Sequence, residues 1–380
     1  MPSPPPAILI IGSLNTDFVT YTPRCPLAGE TLTATSMTIS AGGKGANQAV
    51  ACGRAACSSP PPSATHTPSA TPTATARSAD VHMVGAVGQN DPYYAALMRP
   101  LLEGSGVSVD GVRECTAAST GSATIIVEEE TGENRIAVVP GANHAGMGNV
   151  EDVVSVVERV TWRGGEEGEG GEGGGTGDNR AQTKVIVMQG EIPRATVLGL
   201  LAHFNQHDPT AHVVFNPAPV FPEGIPIGVL RGTSVLVVNE TEAVLMARAL
   251  GLGDGGVGEE QPDPLLLARV LAPRFHEKAE VAIVLITLGA KGAFFSTASG
   301  VSGFVAAEKV ANVVDTTAAG DTFVGYFTTA FARFVAQGKT LREFDGLVED
   351  AVRRANRAAA CCVQRKGAMQ SIPFAYEVDV

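Results

Sequence analysis

Charge is scarce in this chain: Asp, Glu, Lys and Arg make up 17% of its 380 residues, with a formal net charge of −12. No long basic run offsets that acidic balance, which argues against nucleic acid or an anionic membrane as the main partner. The six cysteines (Cys25, Cys52, Cys57, Cys115, Cys361 and Cys362) form no C-x-x-C pair, and no spacing among them suits zinc. No stretch is long and apolar enough for a transmembrane helix. The apolar run at residues 7–11 is too short for a secretory signal and lacks a basic flank, so it reads as a strand. These absences leave an enzyme-sized cytoplasmic protein with reduced, buried thiols, a nuclear location also being open.

What is present is apolar bulk and alternation. Hydrophobic residues make up 44% of the chain, enough for a single large domain over 1–380. From residue 184 onward, short apolar runs alternate with segments of helical period: strands at 184–188, 211–215, 234–238 and 281–285, helices at 194–207, 240–250 and 265–276. That alternation predicts an α/β protein with a mostly parallel, doubly covered sheet. Residues 18–40 and 121–139 read instead as antiparallel strands, a small second sheet. Residues 58–78 are rich in Pro, Thr, Ser and Ala, and 164–180 in Gly and Glu; both read as disordered insertions. Gly168, Gly170 and Gly173 match a dinucleotide-binding spacing, but neither strand nor helix flanks them. Helices are expected at 91–106, 150–160, 320–335 and 341–363.

The chemistry concentrates in Asp315-Thr316-Thr317-Ala318-Ala319-Gly320-Asp321-Thr322-Phe323. Small residues here run into a buried helix marked by Phe323, Val324, Phe327, Phe331 and Phe334. A bare helix N-terminus offers backbone N–H groups to an anion. Asp321 is then either a first-turn acid favoured by the helix dipole or a base for a hydroxyl that attacks the anion. Three further clusters are polar. Ala41-Gly42-Gly43-Lys44-Gly45-Ala46-Asn47-Gln48 is glycine-rich with a lysine, yet is not a Walker A loop. Asn239-Glu240-Thr241-Glu242 has the spacing of a helix capping box. Thr287-Leu288-Gly289-Ala290-Lys291-Gly292 follows a strand, where α/β folds place ligands.

Taken in this order, the clusters resemble the PfkB family of carbohydrate kinases. Gly12-Ser13-Leu14-Asn15-Thr16-Asp17, the Gly42–Gln48 run and Arg365-Lys366-Gly367-Ala368 look specifically like its ribokinase branch. The resemblance implies a three-layer α/β/α ribokinase-like fold with a small antiparallel lid, and ATP-dependent phosphorylation of D-ribose at O5. Kinases for other small sugars or nucleosides are alternatives within the family; a non-catalytic sugar-binding relative is one outside its chemistry. Asn15, Thr16, Asp17, Gly43, Lys44, Gly45, Ala46, Asn47 and Glu191 would hold the sugar, with the glycines admitting it to the backbone. Asp321 would be the base, and Ala318, Ala319 and Gly320 the anion hole. Many relatives have glycine at the position of Ala318, where alanine implies an ordinary backbone conformation. Thr287, Leu288, Gly289, Ala290, Lys291, Gly292 and Asn356 would line the nucleotide, together with Asn239, Gly320 and Asp321. Asn239 and Glu242 would position Mg²⁺ indirectly. Asp315, Thr317, Cys362, Arg365, Gly367 and Ser371 would surround K⁺. The resemblance also implies a homodimer formed through the lid.

Overall fold

Strand β1 (Ala7–Ile11) is entirely apolar and entirely buried, as expected for a strand covered on both faces. The computed structural model describes residues 5–59, 77–131, 133–161, 183–252 and 263–379. The expected insertions at 58–78 and 164–180 lie outside these residues, apart from 58–59 and 77–78. The chain continues through β2 (Asn15–Thr22), β3 (Ser36–Gly42), β4 (Asp80–Gly88), β5 (Val107–Cys115), β6 (Gly121–Glu128) and β7 (Asn134–Val139). Then follow β8 (Lys184–Met188), β9 (Ala211–Phe215), β10 (Val235–Asn239), β11 (Ile283–Thr287), β12 (Gly292–Thr297) and β13 (Ser302–Ala306).

Among the described residues the large sheet has nine strands in the order β13-β12-β11-β10-β9-β8-β1-β4-β5. Its pairs are parallel from β11 to β5, with antiparallel β12 and β13 added at one edge. The pleat of β1 divides its side chains between two cores. Ile8 and Ile10 pack with the helices Lys44–Ala55, Ala319–Val335 and Val348–Cys362. Ala7, Leu9 and Ile11 pack with Val150–Thr161, Arg194–Gln206, Glu240–Ala249 and Pro264–Ala279. This is the three-layer α/β/α arrangement expected.

The small sheet runs β3-β2-β6-β7. Pairs β2/β3 and β6/β7 are antiparallel, and one parallel pair, β2/β6, joins them. Four strands were not foreseen: β4, β5, β12 and β13. In β5, Asp110, Arg113 and Glu114 interrupt the apolar pattern, and β12 and β13 hold glycines where a loop was as plausible. The helix expected over 341–363 is divided: a 3₁₀ segment at Leu341–Gly346 precedes the helix Val348–Cys362. All six cysteines are free thiols. Among the described residues no helix is long and apolar enough to cross a membrane.

Candidate active site

Two helices remote in sequence meet at the C-terminal end of the sheet. The helix Ala319–Val335 crosses Lys44–Ala55 so closely that a Cβ on Gly325 would lie 2.3 Å from Ala51 Cβ. That approach sets the first turn of one helix against the first turn of the other. Asn47 Nδ2 donates to Asp321 Oδ2 at 2.9 Å, and Gln48 Nε2 donates to Asp321 Oδ1 at 2.9 Å. Gln48 Nε2 also donates to Asn216 Oδ1, and Gln189 Nε2 to Gln48 Oε1. Asp321 is buried. The Asp321 carboxylate holds the Lys44 ammonium above its usual range, with burial opposing and Glu191 and Glu242 assisting.

Asn15 and Asp17 lie on the same face of β2, two residues apart. Asn143, which the sequence did not single out, fixes the first: its Nδ2 donates to Asn15 Oδ1 at 2.7 Å, and its Oδ1 accepts Leu14 N. Asp17 is pushed up to about 7 by burial and by the neighbouring Glu191 carboxylate. Glu191 accepts the Lys44 backbone N–H at 2.9 Å and the Ser13 hydroxyl, so it holds the start of the Lys44 helix. One expectation needs correction here. The Thr16 side chain belongs to the opposite face of β2, where it lines a cavity of about 590 Å³ with Phe18 and Tyr93. The lack of a side chain at Gly43 and Gly45 lets protein backbone pack closely against them. Gly43 has φ +90°, and a Cβ on Gly45 would lie 2.5 Å from Ser13 N. Ala46 is fully buried in the core beneath them.

A cavity of about 250 Å³ is lined by Lys44, Asn216, Asn239, Glu242, Ala318 and Asp321. A second, of about 550 Å³, is lined by Gly289, Ala290, Gly292, Ala319, Phe323 and Asn356. Thr287, Thr316 and Gly320 line both. Apart from its chain neighbours and the backbone of its own helix, nothing lies within 4 Å of the point where a Gly320 Cβ would sit, so the helix start is open on that side. Asn356 donates from Nδ2 to Val305 O and Ala306 O. Of the Thr287–Gly292 run, Leu288 is packed in the core and Lys291 pairs with Asp263 at 3.5 Å. Neither side chain lines the larger cavity, which corrects their expected part in it.

Asn239 and Glu242 do form a capping box, with Glu242 N donating to Asn239 Oδ1 at 2.7 Å and Asn239 N to Glu242 Oε2 at 2.9 Å. Burial raises the Glu242 carboxyl, partly opposed by that backbone bond. Ala318 departs from the ordinary conformation expected of it: its φ is +60°, in the left-handed region. Beside it, the loop before the helix and the chain after Val348–Cys362 are tied together. Asp315 Oδ1 accepts Thr317 N and Oδ2 accepts Gly367 N, at 2.9 and 3.0 Å. Cys362 Sγ faces Thr317 O and Ser371 Oγ. Arg365 turns its guanidinium to Glu377, leaving only its backbone for the loop cluster.

The family of pfkB carbohydrate kinases matches residues 6–375. A protein of Schizosaccharomyces pombe named ribokinase is 36% identical over 376 residues, covering 98% of this chain and 96% of its own. The crystal structure of a ribokinase from Cryptococcus neoformans in complex with ADP aligns with TM-score 0.69 at 28% identity, over 98% of this chain and 99% of that one. The Arabidopsis thaliana ribokinase complexed with ribose and ATP aligns with TM-score 0.71 at 26% identity, over 99% of this chain and 98% of that one. The chain belongs to the pfkB family of carbohydrate kinases.

Proposed function

We propose that this chain transfers the γ-phosphoryl group of ATP to O5 of D-ribose. The observation that carries this reading is the position of Asp321, on the wall of a small polar cavity that shares Thr287, Thr316 and Gly320 with a larger one. The larger cavity takes ATP, and the smaller takes its transferring phosphate. Asp321 accepts the O5 proton as O5 bonds to the γ-phosphorus and the bond to the ADP oxygen breaks. The N–H groups of Gly320 and Asp321, with that of Ala318, receive the charge that develops, each donor contributing about 3 kcal/mol; that of Ala319 donates to Thr316 O at 3.3 Å and joins them only by leaving this turn bond. Asn15, Asp17, Lys44, Asn47 and Glu191 hold the sugar hydroxyls under the small sheet, which closes over them and excludes water. The relative in Schizosaccharomyces pombe is named for this activity, and the Arabidopsis neighbour was crystallised with these two substrates.

Glu242 and Asn239 line the smaller cavity, and a carboxylate and an amide there suit Mg²⁺ bound through water. Mg²⁺ supplies charge neutralisation to the phosphates. The Asp315, Thr317, Cys362, Arg365, Gly367 and Ser371 cluster, rich in backbone oxygens, suits K⁺. A homodimer through the lid fits four exposed apolar side chains there, Met37, Ile136, Val138 and Val139, each more than half exposed. The whole chain then acts as one catalytic unit in the cytoplasm. The test is a coupled ADP-release assay over D-ribose, 2-deoxy-D-ribose, D-fructose and adenosine, with the product located by ³¹P NMR. D-ribose should give the highest kcat/KM, with the phosphate on O5. A higher value for any of the others, or no ATP use with any of them, overturns the reading.

A further inference from the structure

We propose that Gln48 is a positioning residue for the Asp321 carboxylate, held in its working orientation by Asn216 on one side and Gln189 on the other. The inference rests on Asp321 being the base. Gln48 is fully buried and Gln189 is 1% exposed, so water does not compete for their amides; Asn216, 8% exposed, borders the smaller cavity. The hydrogen-bond directions are fixed from both ends. Val237 O is a backbone acceptor, so the atom of Asn216 facing it at 2.9 Å is the amide nitrogen. Asn216 Oδ1 therefore points to Gln48, which must present a donor at 3.0 Å. An ionised Asp321 can only accept, so it too requires a donor from Gln48, at 2.9 Å. The two N–H bonds of one amide nitrogen satisfy both demands. Gln189 Nε2 then donates to Gln48 Oε1 at 2.8 Å, which opposes the flipped amide that would turn an oxygen toward the carboxylate.

Gly12 makes room for this relay: a Cβ there would lie 2.0 Å from Gln189 Oε1. A buried chain of amides is costly where it is left unsatisfied; here only Gln189 Oε1 lacks a partner within the chain, and the chain ends on the catalytic carboxylate. Its effect is on geometry: one carboxylate oxygen is pinned, and with it the direction in which the other meets the sugar hydroxyl. Asn47 touches the same carboxylate from the sugar side, whereas none of the residues placed at the sugar bonds to Gln189 or Asn216.

Gln48→Met keeps the length and removes both donors. The kcat should fall about 10–100-fold, the range for a misplaced reacting group, while the D-ribose Kd from calorimetry stays within about twofold, because binding precedes the proton transfer. Gln189→Met should give a smaller loss of kcat in the same direction. Gln189 acts only through Gln48, so the double variant should be no slower than Gln48→Met alone. Losses that multiply, or a weakened ribose Kd in parallel with kcat, overturn the inference and leave a structural role. Should Gln48→Met not fold, an unchanged kcat in Gln189→Met overturns it alone. Near-normal turnover of Asp321→Asn would instead remove the reading on which it stands.

Discussion

Asn47 Nδ2 lies 2.9 Å from Asp321 Oδ2 across 274 residues of sequence. The pair joins the loop assigned to the sugar with the acid assigned to its proton. Asp321→Asn should therefore retain ribose binding and lose most turnover, about 10²–10⁴-fold for loss of the base. The structure adds a cost. Asn47 and Gln48 both donate to this carboxylate; Gln48 can keep donating to the amide oxygen and Asn47 can turn its unpartnered Oδ1 to the amide nitrogen, but both bonds lose their charge assistance. Stability should fall by about 1–3 kcal/mol. Turnover measured beside calorimetric ribose binding separates the two effects, and a variant with near-normal kcat would show that Asp321 is not the base.

Ala318 sits at φ +60° immediately before the helix Ala319–Val335. A left-handed conformation costs a non-glycine residue roughly 1–2 kcal/mol. Glycine removes that strain but loses more freedom on folding, roughly 0.5–1 kcal/mol. Ala318→Gly should then gain about 0.5–1 kcal/mol in urea unfolding, with kcat close to the parent's, because the N–H is kept. A loss of stability would show that the methyl group has packing value greater than the strain.

The same alanine marks the limit of what was legible in the sequence. The strand β1 is a continuous apolar run and β8, β9 and β10 are apolar but for Lys184, His212 and Asn239, and a buried parallel sheet follows from them directly. The site clusters were legible because each follows a strand or opens a helix. The sign of φ at Ala318 has no such mark, since alanine ordinarily avoids that region. Asn143 was missed for another reason: a lone amide in the single helical turn Ala142–Ala145 carries no period, and its bond to Asn15 spans 128 residues. Gln48 stood within a quoted cluster, but its partner Asn216 is brought to it only by the order β9-β8-β1 in the sheet. Thr16 was assigned with its neighbours although the pleat of β2 turns it away from them. Contacts of that kind belong to the tertiary arrangement and leave no local trace.

Asp17 sets a pH dependence of stability. Its folded value is raised from 3.8 to about 7, by burial first and then by Glu191. Between these values the folded chain holds a proton that the unfolded chain has released. Stability is unpenalised below about pH 4, falls as pH rises through the interval, and carries the full penalty above 7. Asp17→Asn removes the penalty, so the variant should exceed the parent by about 1–3 kcal/mol at pH 8 and by less at pH 5. Ribose binding should weaken, because an amide cannot accept two sugar hydroxyls as a carboxylate does. Unfolding curves at the two pH values check this; a difference that is the same at both would show that Asp17 is not the titrating group.

Asp315 accepts from Thr317 N with one oxygen and from Gly367 N with the other. It thus fixes the loop leading into the helix Ala319–Val335 against the segment following Cys362. A K⁺ ion held by the carbonyl oxygens of these loops would act on the reaction through the same helix start, a few residues from Asp321. Replacing K⁺ by tetramethylammonium, too large for such a cage, should lower kcat about tenfold, within the range for a shifted reacting group. Asp315→Ala should be slow in both salts, because the loops lose their tie whether or not the ion is offered. A parent enzyme indifferent to the cation would remove the K⁺ site. A parent that responds, with Asp315→Ala responding equally, would keep the site and reduce Asp315 to a loop brace.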